Sequence, residues 1–186
     1  EFRRVLFRSQ TQPLLEKTDA YTWNKAPRLA GAVLETGAIA RQLIAGQPLL
    51  RDAVARCSAT VYTRLLARLL ELAQVVPLME SWLIALRPGE PYYRAAALPD
   101  KGRAVGLTEA ARGALGHWLE VEHGKISRYQ IIAPTTWNFS PRDAQGQPGA
   151  LEQALQGAPV LPGEKSPVAV QHIVRSFDPC MVCTVH

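Results

Sequence analysis

Cysteine and long apolar runs are both scarce in this sequence of 186 residues. The three cysteines, Cys57, Cys180 and Cys183, are too few and too unevenly spaced for a disulfide framework, which favours free or metal-bound thiols. No window approaches the roughly 20 consecutive apolar residues that a membrane-spanning helix requires. We therefore expect no transmembrane segment in this chain.

Clustered charge is also missing. The formal net charge is +5, but the basic residues are scattered outside the opening segment. No basic patch with interleaved aromatic residues occurs, so the sequence does not predict a nucleic-acid partner. The content of 47% hydrophobic and 20% charged residues is typical of a globular protein.

The opening residues 1–9, EFRRVLFRS, share no pattern with the rest of the chain and are not preceded by an initiator methionine. They lack the apolar region and cleavage site of a signal peptide. We interpret them as a cloning or adaptor artefact and assign residues 10–186 to the native protein. We expect the chain to be a fragment whose natural sequence begins further upstream.

The strongest helical pattern covers residues 58–86. The opposite face of this predicted helix carries Arg64, Arg68 and Glu71, and Pro77 is expected to kink or divide it. The apolar stripe is expected to pack against the core. It repeats at three- and four-residue steps through Val61, Leu65, Leu69, Leu72, Val76, Met79 and Leu83.

Turn-forming residues divide the rest of the chain, with loops predicted at residues 87–102 and 141–148. A helical pattern occupies residues 35–44 and stops at Gly46. The remaining predicted elements are a hairpin of residues 116–122 and 125–133, a short helix at 150–155, and a last helix from a Ser166 cap to Val174.

The last nine residues, DPCMVCTVH, carry the chemistry. Two thiols separated by two residues can chelate one metal ion, and thiolates favour late transition metals and iron over magnesium or calcium. The pair alone is also compatible with half of a zinc site or with a dithiol redox pair. No thioredoxin-like βαβ pattern precedes it.

The longer string ending in Cys180, Cys183 and His186 resembles the C-terminal signature of [NiFe]-hydrogenase large subunits. Three further segments resemble motifs of that family in the same order: TWNKAPR at residues 22–28, EAARGALGHW at 109–118, and PTTWN with SPRD at 134–143. Family members are cut by a maturation protease directly after the histidine that His186 matches. The resemblance covers residues 20–186.

The resemblance implies a ligand set. Cys180 would be a terminal nickel ligand and Cys183 would bridge nickel and iron, while two more thiolates would come from a CxxC absent here. The iron would carry CO and cyanide ligands. Thr135 would hydrogen-bond a cyanide, because a buried anionic acceptor is costly without a donor; otherwise it caps a loop.

Arg112 matches an arginine held above the open coordination position, where its permanent charge would polarise hydrogen. Asp178 would orient it by a charge-assisted hydrogen bond. The base that accepts the proton stays open, with Cys180 as a competitor to Arg112. Ala111 occupies a position where many family members have proline. Alanine restrains the backbone less than proline does, so this difference could loosen the backbone that orients Arg112.

The resemblance also implies a magnesium ion bound by His186 and by the backbone carbonyl of Ile131. The implied fold is mainly α with small β elements, as the C-terminal fragment of the large-subunit fold, with long helices around a buried metal site. Lys25 and Arg28 match the TWNKAPR motif without an assigned catalytic step.

The motif details resemble the membrane-associated uptake class. The implied enzyme oxidises H2 to protons and electrons and passes the electrons to iron–sulfur clusters in a small subunit, then to a membrane cytochrome b. The implied location is the periplasmic face of the membrane. We expect the 186-residue chain alone to be inactive, because it holds two of four thiolates.

Two alternatives remain. A non-catalytic zinc module would use only Cys180, Cys183 and His186. A relative within the respiratory complex family would have lost the metal thiolates, and the retention of both cysteines argues against it.

Overall fold

The computed structural model describes residues 16–184, so the opening segment and His186 lie outside it. The chain forms helices and one antiparallel sheet. The sheet has the order β1 (Lys101–Ala110), β2 (Gly113–Glu122) and β3 (Lys125–Ile132). The helices are α1 (Ala38–Ile44), α2 (Pro48–Cys57), α3 (Val61–Ala85), α4 (Pro134–Asn138), α5 (Ala150–Leu155) and α6 (Val168–Ser176), followed by a 3-10 helix at Val182–Thr184.

The sheet confirms the predicted hairpin and adds a strand. The β2–β3 turn is formed by His123 and Gly124, both with positive φ. The sequence does not predict β1, because the turn-forming residues before it indicate a loop that extends past residue 101. The turn from β1 to β2 consists of Ala111 and Arg112, since Ala110 pairs with Gly113. The sheet is thus larger than the small β elements expected.

Two clusters of apolar side chains form the interior. Trp118, Ile132 and Trp137 connect the sheet to α4, with Leu34 and Val105 packed against them. The second cluster connects α1, α2 and the first half of α3 through Ala38, Ile39, Leu50 and Ala67. Both clusters are small, and many large apolar side chains of the described residues are exposed instead of joining them.

The long helix α3 begins as its sequence predicts but does not pack as predicted. Thr60 and Thr63 form a reciprocal capping box, and the helix continues through Pro77 without dividing. The expected packing face is wrong for this chain, since Leu69, for example, is 64% exposed. Arg64, expected in solvent, is only 5% exposed, because it forms an ion pair with Glu35 and its guanidinium packs over the Phe177 ring.

The last helix delivers the chain to the two cysteines. α6 begins at Val168, whose backbone N–H donates to Glu164 Oε1 at 2.7 Å, so Glu164 supplies the cap expected from Ser166. The helix ends at Ser176, and Asp178 then takes a left-handed conformation with φ of 52°. Among residues 16–184, no helix combines the length and apolarity needed to cross a membrane.

Candidate metal centre

The C-terminal turn brings both thiols to one side. The Cys183 N–H donates to the Cys180 carbonyl at 3.0 Å, which folds the segment into a single turn. The two Sγ atoms lie 2.8 Å apart, well beyond the ~2.05 Å of a disulfide bond. Both side chains are partly buried. The spacing-based prediction of a chelating pair is therefore compatible with the geometry.

The two thiols titrate differently because they share one hydrogen bond. The Cys183 thiol donates to the Cys180 sulfur, and this bond is the main cause that holds the pKa of Cys180 below its ordinary value. Burial, followed by the same bond, raises the pKa of Cys183 to about 11. The positive charge of Arg112 adds to the lowering of the Cys180 pKa and partly opposes the rise of the Cys183 pKa. A cation bound by both sulfurs would have to displace the Cys183 proton.

Thr135 lies directly against the cysteine turn. The Cys180 N–H donates to Thr135 Oγ1 at 3.2 Å, and Thr135 is 2% exposed. It lies in the first turn of α4, where Pro134 occupies the first helical position. Because its oxygen acts as the acceptor in this bond, the hydroxyl hydrogen remains available to donate. Thr135 can therefore bind the cysteine backbone and a further acceptor together.

Arg112 and Asp178 form an ion pair beside the thiols. Arg112 Nε lies 3.4 Å from Asp178 Oδ2, and both side chains are 45% exposed. This separation exceeds the ~2.7–2.9 Å of a charge-assisted hydrogen bond, so the pair is an electrostatic contact at this distance. Asp178 has a left-handed backbone, and its carboxylate faces Arg112 in the β1–β2 turn.

The buried side chain of Asn138 holds the segment that supports this turn. Its Oδ1 accepts from the Thr36 N–H at 2.9 Å, and its Nδ2 donates to the Thr36 carbonyl at 3.0 Å. Gly37, next along, touches the turn closely, since a Cβ there would lie 3.1 Å from the Arg112 carbonyl oxygen. Sequence reasoning missed Asn138, although its place in PTTWN beside Thr135 was a usable signal.

Two arginines of α3 fix the chain just before Asp178. Arg68 Nη2 donates to the Ser176 carbonyl at 2.6 Å, and the Arg64 guanidinium carbon lies 3.9 Å from the centre of the Phe177 ring. Both contacts lie within two residues of Asp178. Helical periodicity contains no signal for them, because it places these arginines on the solvent face.

Of the two predicted magnesium ligands, only the Ile131 carbonyl lies within the described residues. His186 lies outside the described residues, while the Ile131 carbonyl accepts from Lys25 Nζ at 3.1 Å. A carbonyl oxygen has a second lone pair, so this bond does not exhaust it. Arg28, also unassigned, anchors the SPRD segment through Asp143 at 3.0 Å.

The donor set fits part of a metal centre. Among residues 16–184, no cluster of three or more histidine, cysteine or carboxylate side chains could hold a metal ion. Two soft thiols and a neighbouring guanidinium fit half of a thiolate site that receives its other ligands from elsewhere. Cys57 is exposed at the end of α2 and takes no part.

Comparisons with known proteins agree on one group. The sequence profile of the family described as nickel-dependent hydrogenase matches residues 4–186. The large subunit of the periplasmic [NiFeSe] hydrogenase from Desulfomicrobium baculatum is 37% identical over 194 residues, which is 95% of this chain and 38% of that protein. The uptake hydrogenase large subunit from Bradyrhizobium diazoefficiens is 33% identical over 92% of this chain and 33% of that protein.

The fold gives the same result. A solved [NiFeSe] hydrogenase variant from Desulfovibrio vulgaris Hildenborough matches with a TM-score of 0.89 and 35% identity, over 97% of this chain and 41% of that chain. The structural similarity therefore extends over nearly the whole chain. This chain spans about two fifths or less of the length of these relatives.

Proposed function

The chain belongs to the nickel-dependent hydrogenase family as part of a large subunit, and from that premise we propose that the whole subunit oxidises molecular hydrogen to protons and electrons at a nickel–iron centre. The observation that carries the proposal is the pair of thiols, 2.8 Å apart between Cys180 and Cys183, with the charge of Arg112 beside them. Soft thiolates suit nickel and iron, and the fixed cation suits a polarised substrate.

We assign Cys180 to nickel and Cys183 to both nickel and iron, with two further thiolates supplied from outside this chain. When bound, the centre, with CO and cyanide on its iron, would supply the Lewis acid at which the H–H bond is cleaved. Thr135 keeps a hydroxyl hydrogen available for a cyanide while its oxygen holds the Cys180 backbone at 3.2 Å. The cost of burying an anionic acceptor is thereby offset.

Arg112 provides a permanent positive charge beside the thiols, because a guanidinium stays protonated at any working pH. Asp178, at 3.4 Å, keeps this charge on the side of the cysteine turn. The same property makes Arg112 a poor acceptor for the proton of H2. A thiolate, unlike a guanidinium, can accept a proton, so Cys180 is the better candidate base in this chain.

We also propose a magnesium ion between His186 and the Ile131 carbonyl, which keeps one lone pair while it accepts from Lys25. The proposed partners are an iron–sulfur small subunit, a membrane cytochrome b and a maturation protease that cuts after His186. We assign the enzyme to the uptake class on the periplasmic face of the membrane. Relatives named uptake hydrogenase and periplasmic hydrogenase support this assignment.

Substitution of the three cysteines, one at a time, tests the proposal in the whole large subunit assembled with its small subunit. We expect Cys180→Ser and Cys183→Ser to abolish hydrogen oxidation with an artificial acceptor, because each removes a metal ligand. Cys57→Ser is the matched control and should retain activity and metal, since Cys57 is exposed and contacts neither thiol.

Elemental analysis decides between the candidate metals. Nickel and iron in the parent enzyme, reduced in Cys183→Ser, would support the proposal. Zinc alone, with no hydrogen oxidation in the parent protein, would instead support the zinc module of Cys180, Cys183 and His186. Hydrogen oxidation by the isolated 186-residue chain would contradict the assignment of half a site to it.

A further inference from the structure

Arg112 is the second residue of a tight turn with no obvious restraint of its own. Ala110 pairs with Gly113, so Ala111 and Arg112 alone connect β1 to β2. Proline at position 111 would fix the backbone φ before Arg112, but this chain has alanine there. Asp178 contacts the Arg112 side chain at 3.4 Å, but the backbone that carries this side chain depends on contacts that the turn receives from other segments.

Arg41, near the end of α1, supplies such contacts. Its Nη1 donates to the Ala110 carbonyl at 2.9 Å, and its Nη2 donates to the Ala111 carbonyl at 3.0 Å. The second carbonyl belongs to the planar peptide group that leads into Arg112. Holding this oxygen restricts the rotation of the whole peptide plane, and so restricts where the Arg112 Cα lies.

The Arg41 guanidinium is itself fixed by two carboxylates. Its Nε and Nη2 donate to both Glu71 oxygens at 2.7 Å, and its Nη1 donates to Glu109 at 2.9 Å. Together with the two carbonyls, these bonds use all five N–H donors of the side chain. A planar fork with every donor engaged is a rigid contact, and the ammonium of a lysine could not reproduce it.

The segment that leads into α1 also packs closely against the turn. A Cβ on Gly113 would lie 2.5 Å from Thr36 Oγ1 and 2.7 Å from the Gly37 nitrogen. Gly37 is the residue before α1, and Arg41 lies within that helix. The turn therefore contacts both the backbone of residues 36–37 and the Arg41 guanidinium, which belong to one short segment of the chain.

From these contacts we propose that Arg41 is a positioning residue for Arg112: its fork on the Ala110 and Ala111 carbonyls replaces the restraint that a proline at position 111 would give. The proposal rests on the proposed function of Arg112. A purely structural role, joining α1 to α3 through Glu71, would require only Nε and Nη2. It would not involve the two carbonyls.

The test uses the whole large subunit with its small subunit and the variant Arg41→Lys, which keeps the charge and loses the fork. We expect kcat for hydrogen oxidation to fall on the order of 10-fold with unchanged nickel and iron content, since small displacements of a catalytic group are costly. Arg51→Lys is the matched control. Its side chain also reaches a carbonyl, that of Leu43 at 3.3 Å, without touching the turn.

A double-mutant cycle and a rescue separate positioning from stability. In an Arg112→Lys background, Arg41→Lys should lower kcat by less than about twofold, because the group that it positions has already been changed. Adding Ala111→Pro to Arg41→Lys should restore most of the lost rate, because the ring fixes φ of residue 111 and so restricts the backbone that leads into Arg112. The proposal would be overturned if the kcat losses of Arg41→Lys and Arg112→Lys multiplied fully in the double variant. It would also be overturned if Ala111→Pro restored none of the rate lost in Arg41→Lys.

Hydrogen exchange gives a readout that does not depend on activity. In Arg41→Lys, peptides covering residues 109–116 should exchange faster, while those covering α6 should not change. Glu71→Gln is a milder second variant, which should raise the exchange rate of the same peptides by less. It replaces Arg41→Lys in the test if that variant does not assemble. Unchanged exchange at the turn in both variants would overturn the positioning role. Absence of nickel in the parent enzyme would instead overturn the proposed function.

Discussion

The two halves of α3 belong to one continuous helix but have opposite surroundings. In the first half, Thr63, Arg64 and Ala67 are buried against α1, α2 and the chain that leads to the cysteines. From Leu72 onward every residue is exposed, and the exposed run continues to Lys101. The second half nevertheless carries the larger share of bulky apolar side chains, such as Trp82 and Leu83.

Within this chain, polar contacts together with the apolar cluster around Ala67 hold the first half of the helix, while the predicted apolar stripe contributes little. Arg64 binds Glu35, and Arg68 binds the carbonyl of Ser176, which lies four residues before Cys180. Large exposed apolar surfaces are unusual in monomeric proteins and mark sites that another surface covers. We expect the rest of the large subunit to cover the second half, since this chain spans about two fifths or less of its relatives.

The largest effect is expected from Arg64→Ala. This substitution leaves Glu35, otherwise paired at 2.7 Å, with an uncompensated charge and removes the cation from the Phe177 ring. Breaking a pair of this kind should cost about 3 kcal/mol. The measurement is the urea denaturation midpoint of the assembled subunit. Hydrogen exchange near Ser176 should rise in parallel.

The control for this prediction is Arg56→Ala in α2. Arg56 forms an ion pair with Asp52 at the surface, where its side chain is 68% exposed. Exposed pairs of this type contribute about 0.3–0.5 kcal/mol in a helix. Equal losses of unfolding free energy from Arg64→Ala and Arg56→Ala would contradict the contrast between buried and exposed ion pairs.

Leu72→Ala should give the next largest effect, and only in the whole subunit. Leu72 is 62% exposed in this chain, where truncation should cost less than about 0.5 kcal/mol. If the remainder of the subunit covers it, the same change should cost about 2–3 kcal/mol there. Urea denaturation of the two forms provides the comparison. A negligible cost in the whole subunit would mean that this face stays in solvent.

The smallest expected effect on stability is that of Asp143→Asn. Asp143 is paired with Arg28 within this chain. Backbone donation from Gln147, and then the Arg28 side chain, keep its pKa below the ordinary value. A lowered native pKa stabilises the fold above the unfolded pKa of about 3.9, and this contribution is lost as the pH falls through the native pKa. The stability gap between the parent and Asp143→Asn should therefore narrow below about pH 4. A gap independent of pH would contradict this.

Local chemistry explains what could be predicted from the sequence. The turn at His123 and Gly124 fits a two-residue hairpin, and the spacing of Cys180 and Cys183 fits one turn of chain. The strand β1 could not be predicted because its turn, Ala111 and Arg112, carries no glycine or asparagine signal. α4 has five residues, too few for a period to be detected.

Long-range contacts explain the rest. Thr135 meets Cys180 across 45 residues, and only the family resemblance brings them together. Arg64 is buried because it pairs with Glu35, 29 residues away, and helical periodicity cannot predict a contact with another segment. Neither the periodicity nor the resemblance predicts the contacts of Arg41 with the Arg112 turn, because the pattern of its segment indicates packing alone.

Infrared spectroscopy of the whole large subunit, assembled with its small subunit, tests the central claim most directly. We predict stretching bands of CO and cyanide in the parent enzyme, bands lost in Cys183→Ser, and bands retained but shifted in Arg112→Lys, because a guanidinium beside the thiols contributes to the local field. A parent protein that contains zinc and shows no such bands would contradict the assignment of Cys180 and Cys183 to half of a nickel–iron centre.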